Sequence, residues 1–225
     1  MTATFKDLCI DAVDPLRMQA FWAATLGLRP ESRGPDNLLL TGSRPEHTVW
    51  VNKVPEPHQV KGRVHLDVNT ASIAELVDRG ARVLDDSHRW TIMADPEGNE
   101  FCGFVREPGQ LTDYRVYELG VDATEPRAIA GWWARQFGVE VKDDGAAGDG
   151  TEEWCWIEGG SLPFPMVFAR VPEPKTVKNR VHWDVLGETQ RFLDAGASLL
   201  RSADEENFWD VLADPEGNEF CVFGE

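Results

Sequence analysis

The stretch Ala94-Asp95-Pro96-Glu97-Gly98-Asn99-Glu100-Phe101-Cys102 returns without a single change at residues 213–221, just before the chain ends at Glu225. Nine identical residues in a row are beyond coincidence, and an internal repeat must be read before any fold is assigned. Each copy has the grammar of a strand exit, a tight turn and a strand entry. Asp-Pro opens the turn because proline presets φ at its second position, and Gly98 or Gly217 supplies the positive φ that closes it. Glu-Phe-Cys then resumes strand alternation.

With 225 residues, 42% of them hydrophobic, the chain has room for two domains of about 110 residues. The repeat divides it into units 1–108 and 113–225, joined by a segment in which Glu107-Pro108-Gly109-Gln110 breaks the pattern. The formal net charge is −17, a field that repels nucleic acid phosphates and anionic lipid, so neither is expected as a partner. A cationic ligand suits that field, as does a purely solubilising role. The four cysteines, Cys9, Cys102, Cys155 and Cys221, show no CxxC spacing and sit in apolar runs, which argues for reduced thiols rather than a disulfide framework or a zinc knuckle. No run approaches membrane-spanning length, and a cytoplasmic protein is the expectation.

Outward from the repeated turn, the same elements recur in both units. Phe5 to Ala12 alternates, with Leu8 and Ile10 opposite Asp7, Cys9 and Asp11, and its counterpart is Tyr117 to Ala123. Asp14-Pro15 and Glu125-Pro126 open helices that Gly27 and Gly138 stop. Strands are expected at Asn37 to Thr41 and Thr48 to Val54. In the second unit, the acidic, glycine-rich Asp143 to Gly150 reads as a hairpin connection before Trp154-Cys155-Trp156-Ile157. Stiff connectors, Val54-Pro55-Glu56-Pro57 and Val171-Pro172-Glu173-Pro174, precede a second strong repeat, Arg63-Val64-His65-Leu66-Asp67-Val68 against Arg180-Val181-His182-Trp183-Asp184-Val185. Helices at Ser72 to Arg79 and Glu188 to Ala195 follow, then strands near Trp90 and Trp209 and the final hairpins. The order strand, helix, two or three strands thus occurs four times, an α+β layout with helices covering one face of a mostly antiparallel sheet.

That order, the Asp-Pro...Phe-Trp...Leu-Gly helix, the Arg-x-His-x-Asp strand and the terminal Asp-Pro-x-Gly-Asn turn together resemble the vicinal oxygen chelate superfamily. The group includes glyoxalase I, extradiol dioxygenases, fosfomycin-resistance enzymes and bleomycin-resistance proteins, and the chain is most similar to its glyoxalase-like branch. The resemblance implies four βαβββ modules forming two tandem glyoxalase-like units, each a cupped, mostly antiparallel eight-stranded sheet with helices outside and the ligand within the cup. Metal-dependent members ligate a divalent ion from cup-facing strand positions. Carried over here, those positions fall on Asp7, Asn52, His65 and Cys102 in the first unit and on Glu118, Ala169, His182 and Cys221 in the second. Cysteine where the family places a glutamate departs from its pattern in both copies. The expectation is therefore a protein without a complete metal site, a divalent metal remaining an alternative.

Other readings of the same residues stand beside this one. Arg63, His65 and Asp67 suit an ion network with Asp7 or Asp11 on an adjacent strand. His65 and His182 are candidate general bases or ligand anchors as well as ordinary buried histidines. Cys102 and Cys221 have no basic neighbour to form a thiolate and read as small core residues. Of nine tryptophans, Trp22, Trp132 and Trp133 fall on helices as core residues, whereas Trp50, Trp90, Trp154, Trp156 and Trp209 are placed on strands. If these line a cup, their indoles make flat walls for an aromatic, cationic ligand; the alternative is that they fill an interface between units. Binding of a small molecule by Asp7, Trp50, His65, Trp90, Cys102, Glu118, Trp154, Trp156, His182, Trp209 and Cys221 is one expected function. A lyase, isomerase or dioxygenase using His65 or His182 is the other. Two units in one chain are expected to replace the family's dimer, giving a pseudo-dimeric monomer.

Overall fold

The computed structural model describes residues 2–34, 38–143, 154–205 and 207–224, so most of the expected acidic hairpin, residues 144–150, and the start of the strand expected at Asn37 lie outside the described residues. The chain forms four modules of one plan. The first is β1 (Thr4–Ala12), α1 (Pro15–Leu26), β2 (Arg29–Ser32), β3 (Leu38–Thr41) and β4 (Val49–Lys53). The second is β5 (Val64–Thr70), α2 (Ile73–Asp78), β6 (Arg82–Asp85), β7 (Thr91–Ala94) and β8 (Glu100–Val105). The third is β9 (Val116–Ala123), α3 (Pro126–Phe137), β10 (Val141–Lys142), β11 (Trp154–Ile157) and β12 (Met166–Arg170). The fourth is β13 (Val181–Leu186), α4 (Thr189–Asp194), β14 (Ser198–Arg201), β15 (Asp210–Ala213) and β16 (Glu219–Phe223). Trp90 and Trp209 sit just before β7 and β15 rather than within them.

Local chemistry accounts for the helix limits. Asp14 accepts from the Arg17 amide and Ser72 from the Glu75 amide, satisfying N-terminal donors that have no partner within the helix. Gly27 and Gly138 end α1 and α3 in the left-handed region, at φ 69° and 71°.

The α+β architecture with two eight-stranded, mostly antiparallel sheets is as the sequence leads one to expect. What sequence order does not disclose is which modules share a sheet. The first sheet runs β14-β15-β16-β13-β1-β4-β3-β2 and the second β10-β11-β12-β9-β5-β8-β7-β6. Each sheet therefore joins one module from each sequence repeat: β1 pairs antiparallel with β13, and β5 with β9. The proline connectors explain why β4 and β5 do not pair. Pro55 and Pro57, like Pro172 and Pro174, lack the N–H needed to extend a ladder, and the chain leaves one sheet for the other.

The sequence repeat is instead the unit of packing. Helix α1 stands behind the first sheet but sets Trp22 against Phe101 of β8, ring centroids 5.4 Å apart, in the second. Helix α3 does the same in reverse, with Trp133 4.9 Å from Phe220 and 5.0 Å from Trp183. Trp22, Trp132 and Trp133 are all buried, as expected of core residues. Edge-to-face pairs of this kind add to the large apolar area each ring removes from water.

The repeated turn locks this packing. Asp95 accepts from the amides of Glu97 and Asn99, each at 2.9 Å, and Gly98 adopts φ 96°; Asp214, with Gly217 at φ 87°, repeats the arrangement. Glu97 then reaches across to the start of α1, accepting from Val13 N at 2.9 Å and Asp14 N at 2.6 Å. Glu216 accepts from Thr124 N and Glu125 N at 3.0 and 2.9 Å at the start of α3. Each nonapeptide thereby caps a helix belonging to the other sheet.

Candidate ligand-binding cups

Side chains alternate along a strand, so residues paired across strands share a face. In the first sheet Asp7 pairs with Asp184, and Asp184 with Cys221; Cys9 pairs with both His182 and Trp50. In the second, Glu118 pairs with Asp67, Asp67 with Cys102 and Cys102 with Ile92. Gly120 pairs with His65 and with Val167, which pairs with Trp156, while Trp154 pairs with Ala169. Each sheet thus gathers a carboxylate from one module, and a His-x-Asp pair and a cysteine from the other, onto one face.

This corrects the grouping by sequence unit. Asp7 and Asn52 do not meet His65 and Cys102; they share the first cup with His182 and Cys221. Glu118 and Ala169 share the second with His65 and Cys102. The expected network of Arg63, His65 and Asp67 with Asp7 or Asp11 fails for the same reason, because the strand beside β5 is β9 and not β1.

The floor of the first cup is dense and closed. Cys9 Sγ lies 3.5 and 3.6 Å from the two oxygens of Asp184, donating to a carboxylate as a neutral thiol. Burial pushes the Cys9 thiol well up, and Asp184 adds to the shift. Burial, then Asp184, also raises Cys221. Asp184 itself is raised by burial, against the pull of His182 and Lys6. Asp7 is paired with Lys6 and accepts from the Trp50 indole at 3.2 Å. The Lys6 ammonium also sits 4.2 Å above the Phe223 ring, which stacks on Trp209 at 5.1 Å. Asp7, His182, Asp184 and Cys221 are all buried.

The second floor is balanced differently. Asp67 is raised well above the carboxylate range, first by burial and then by the charge of Glu118, with which it shares a hydrogen bond. Burial likewise raises Glu118, opposed by that bond and by Arg106. A second negative charge beside the first is costly in a buried place, which holds the pair above the ordinary carboxylate range. His65 Nε2 is 3.4 Å from Asp67 Oδ1, and burial lowers the imidazole, keeping it neutral near pH 7. Cys102 is raised by burial and by Asp67. Cys9, Cys102 and Cys221 are thus held as thiols and are not activated thiolates, which require a positive neighbour.

Aromatic walls stand at both ends of the second cup. Trp154 and Trp156 stack 5.4 Å apart on β11. At the other end, Trp90 stacks on Phe104 at 5.8 Å, and Phe104 meets Tyr117 at 5.0 Å. Trp90 and Trp154 remain 37% and 41% exposed, so these faces are open to a ligand. The sequence reading missed Cys9, Phe104 and Tyr117 as cup residues and took Asp67 and Asp184 for structural ions. For four of them the signal was present in the alternation of β1, β5, β8 and β13, each lying two positions from a residue already singled out; Tyr117, next to Glu118, falls at a register shift between β5 and β9 that alternation does not announce.

The described side chains bring two donor sets together, Cys9, His182 and Asp184 in one cup and His65, Asp67 and Cys102 in the other, their ligating atoms within 4.8 Å of one another. Nitrogen, oxygen and sulfur donors in this combination suit a zinc-like ion better than one that prefers all-oxygen shells. The sets are compatible with a metal.

Paired four-strand modules around concave faces define a chain of the glyoxalase fold. The model of the glyoxalase-like domain family matches residues 7–104 and 118–223, and the chain belongs to that family, within the vicinal oxygen chelate superfamily. Glyoxalase I from Zea mays has the same fold at TM-score 0.66, with 12% identity over 98% of this chain and 92% of that one. A putative dioxygenase from Bacillus subtilis subsp. subtilis str. 168 superposes at TM-score 0.64, with 14% identity over 100% of this chain and 86% of that one. At these identities the likeness is one of fold. No curated protein matches the sequence. Among the described residues, no helix is long and apolar enough to cross a membrane.

Proposed function

We propose that the protein binds a small, cationic aromatic molecule in the second cup, without a complete metal site. The observation that carries this reading is the pairing of open aromatic walls, Trp154 with Trp156 and Trp90 with Phe104, around the acidic floor of Asp67 and Glu118. Stacking supplies affinity for a flat ring, and a cation meets both the ring faces and the carboxylates. Titration of tryptophan fluorescence with a panel of cationic aromatic compounds tests the reading. A saturable response is expected, and Trp156→Ala weakens it about tenfold, the cost of roughly one stacking partner. A flat response across the panel would overturn it. On this reading Trp50, Trp209, Asp7, His182 and Cys221 of the first cup play a lesser part. The chain acts as a cytoplasmic monomer whose units 1–108 and 113–225 replace two subunits, which light scattering checks.

The donor sets favour a second reading, a metal-dependent lyase, isomerase or dioxygenase. There His65, Asp67 and Cys102, with Glu118 adjoining, would hold a divalent ion, and His182 with Cys9 and Asp184 another. The ion would supply Lewis acidity toward a substrate oxygen. His65, lowered by burial, would offer its ring nitrogen to the ion without a proton to lose first. A stoichiometric divalent ion in protein purified without chelator, lost in His65→Ala, decides for this reading and against the first.

A further inference from the structure

The chain crosses between its sheets twice, over residues 54–63 and 171–180, and the two crossings lie side by side, sharing Val60, Val177 and Asn179 in the walls of two clefts. In a chain of net charge −17, these short segments hold Lys61, Arg63, Lys175, Lys178 and Arg180, so the local balance is opposite to that of the whole. Arg63 and Arg180 occupy equivalent places in the repeat, one lining each cleft, and they are satisfied differently.

Both terminal nitrogens of Arg180 are engaged, while its buried Nε has no partner among the described residues. Its Nη2 donates to Glu97 at 3.1 Å and its Nη1 to the Glu56 carbonyl at 2.6 Å, and the cleft beside it measures about 170 Å³. Arg63 lines a larger cleft of about 270 Å³ and is only 9% exposed. Among the described residues its guanidinium makes no hydrogen bond and no ion pair within 4 Å. Glu216, the counterpart of Glu97, is occupied by Thr124 and Glu125 and feels the Arg63 charge only through space. The other cations of this cleft are matched, Lys61 by Asp122 and Lys175 by Glu219 at 2.6 Å. The Arg63 nitrogens are not sealed off but open to the cleft, and their planar fork fits a group with two oxygens.

We propose that the larger cleft is a binding site for a small organic anion whose carboxylate or phosphate group takes the free N–H groups of Arg63. Val60, Pro174 and Val177 give its carbon skeleton an apolar wall. Glu173, exposed at the cleft, restricts the charge the ligand can carry, which favours a monoanion. The site lies outside both cups and does not depend on what they bind.

Calorimetric titration at constant ionic strength with benzoate, phenyl phosphate and inorganic phosphate, and with benzamide as the neutral control, tests the proposal. Saturable binding of benzoate or phenyl phosphate is expected, with none for benzamide. The affinity falls at least tenfold in Arg63→Gln and stays unchanged in Arg44→Gln, a cation outside the cleft. Preference between benzoate and phenyl phosphate tells carboxylate from phosphate, and binding of inorganic phosphate alone would show an adventitious ion only and overturn the proposal. On the unaltered protein, hydrogen exchange should slow at residues 57–63 and 173–180 when the anion is present. Binding retained in Arg63→Gln, slowed exchange confined to other segments, or no binding by any anion would each overturn it.

Discussion

The two cups share a backbone plan and settle their buried charge in different ways. In the first, Asp7 is held by the ammonium of Lys6 and the indole of Trp50, and Cys9 fills the space beside His182. In the second, Tyr117 stands in the place of Lys6, Val167 in that of Trp50 and Gly120 in that of Cys9. Glu118 therefore has no ammonium of its own; it stands against Asp67, with only the charge of Arg106 opposing the rise. His65 leans into the space that glycine leaves, and a Cβ on Gly120 would lie 2.4 Å from its ring. One cup sets an internal cation against its carboxylate; the other sets two buried carboxyls against each other. A duplicated fold keeps its backbone hydrogen bonds, which no side chain alters, while each site can balance its charge anew.

Transplanting single residues between the cups should break this difference. Gly120→Cys brings the first cup's residue into the second; the crowding displaces His65 and costs about 1–3 kcal/mol, as overpacking does, read as a lowered melting temperature and loss of ligand-induced quenching. The reverse change, Cys9→Gly, should leave the ligand response untouched.

Glu118→Gln acts with the opposite sign. Both Asp67 and Glu118 titrate above their unfolded values, so the folded state holds a proton that the unfolded chain has already lost. Stability from this pair is present at low pH and declines as pH rises from the ordinary carboxylate range through the raised one. Removing one member should flatten that decline and stabilise the protein by about 1 kcal/mol at pH 7, seen as a smaller drop in melting temperature between pH 5 and pH 7 than in the unaltered chain. An unchanged pH profile would mean that Glu118 does not raise Asp67.

The smallest effect is expected from Lys6→Met, which makes the first cup resemble the second. Lys6 is partly exposed, so its loss should cost only about 0.5–1 kcal/mol. It is read as a small fall in melting temperature.

Much of the fold was legible because its signals are local. Asp14 and Ser72 announce helix starts, Gly27 and Gly138 their ends, and the alternation of Leu8 and Ile10 with Asp7 and Cys9 marks a strand buried on one side. The turn was read correctly down to the role of Gly98, although nothing local showed that Glu97 would cap a helix of the other sheet. For the site, His65, His182, Cys102 and Cys221 were placed on cup-facing strand positions by resemblance, beside a reading as ordinary buried residues. Their partners were not, since assigning them by sequence proximity placed His65 with Asp7 when its neighbour across the ladder is Gly120.

The sequence by itself therefore determined the fourfold module, the repeated turn and the shared face of Asp7, Cys9 and Asp11. These follow from periodicity and from the backbone preferences of Asp, Pro and Gly. Only the tertiary structure decided that β1 joins β13 and β5 joins β9, and with that which histidine meets which acid. Strand pairing is made by backbone groups common to all residues, so four similar edges carry no local label for their partners. The choice falls to features that act at a distance: proline connectors that send the chain to the other sheet, and helix cores, around Trp22 and Trp133, that bind the sheets back to back.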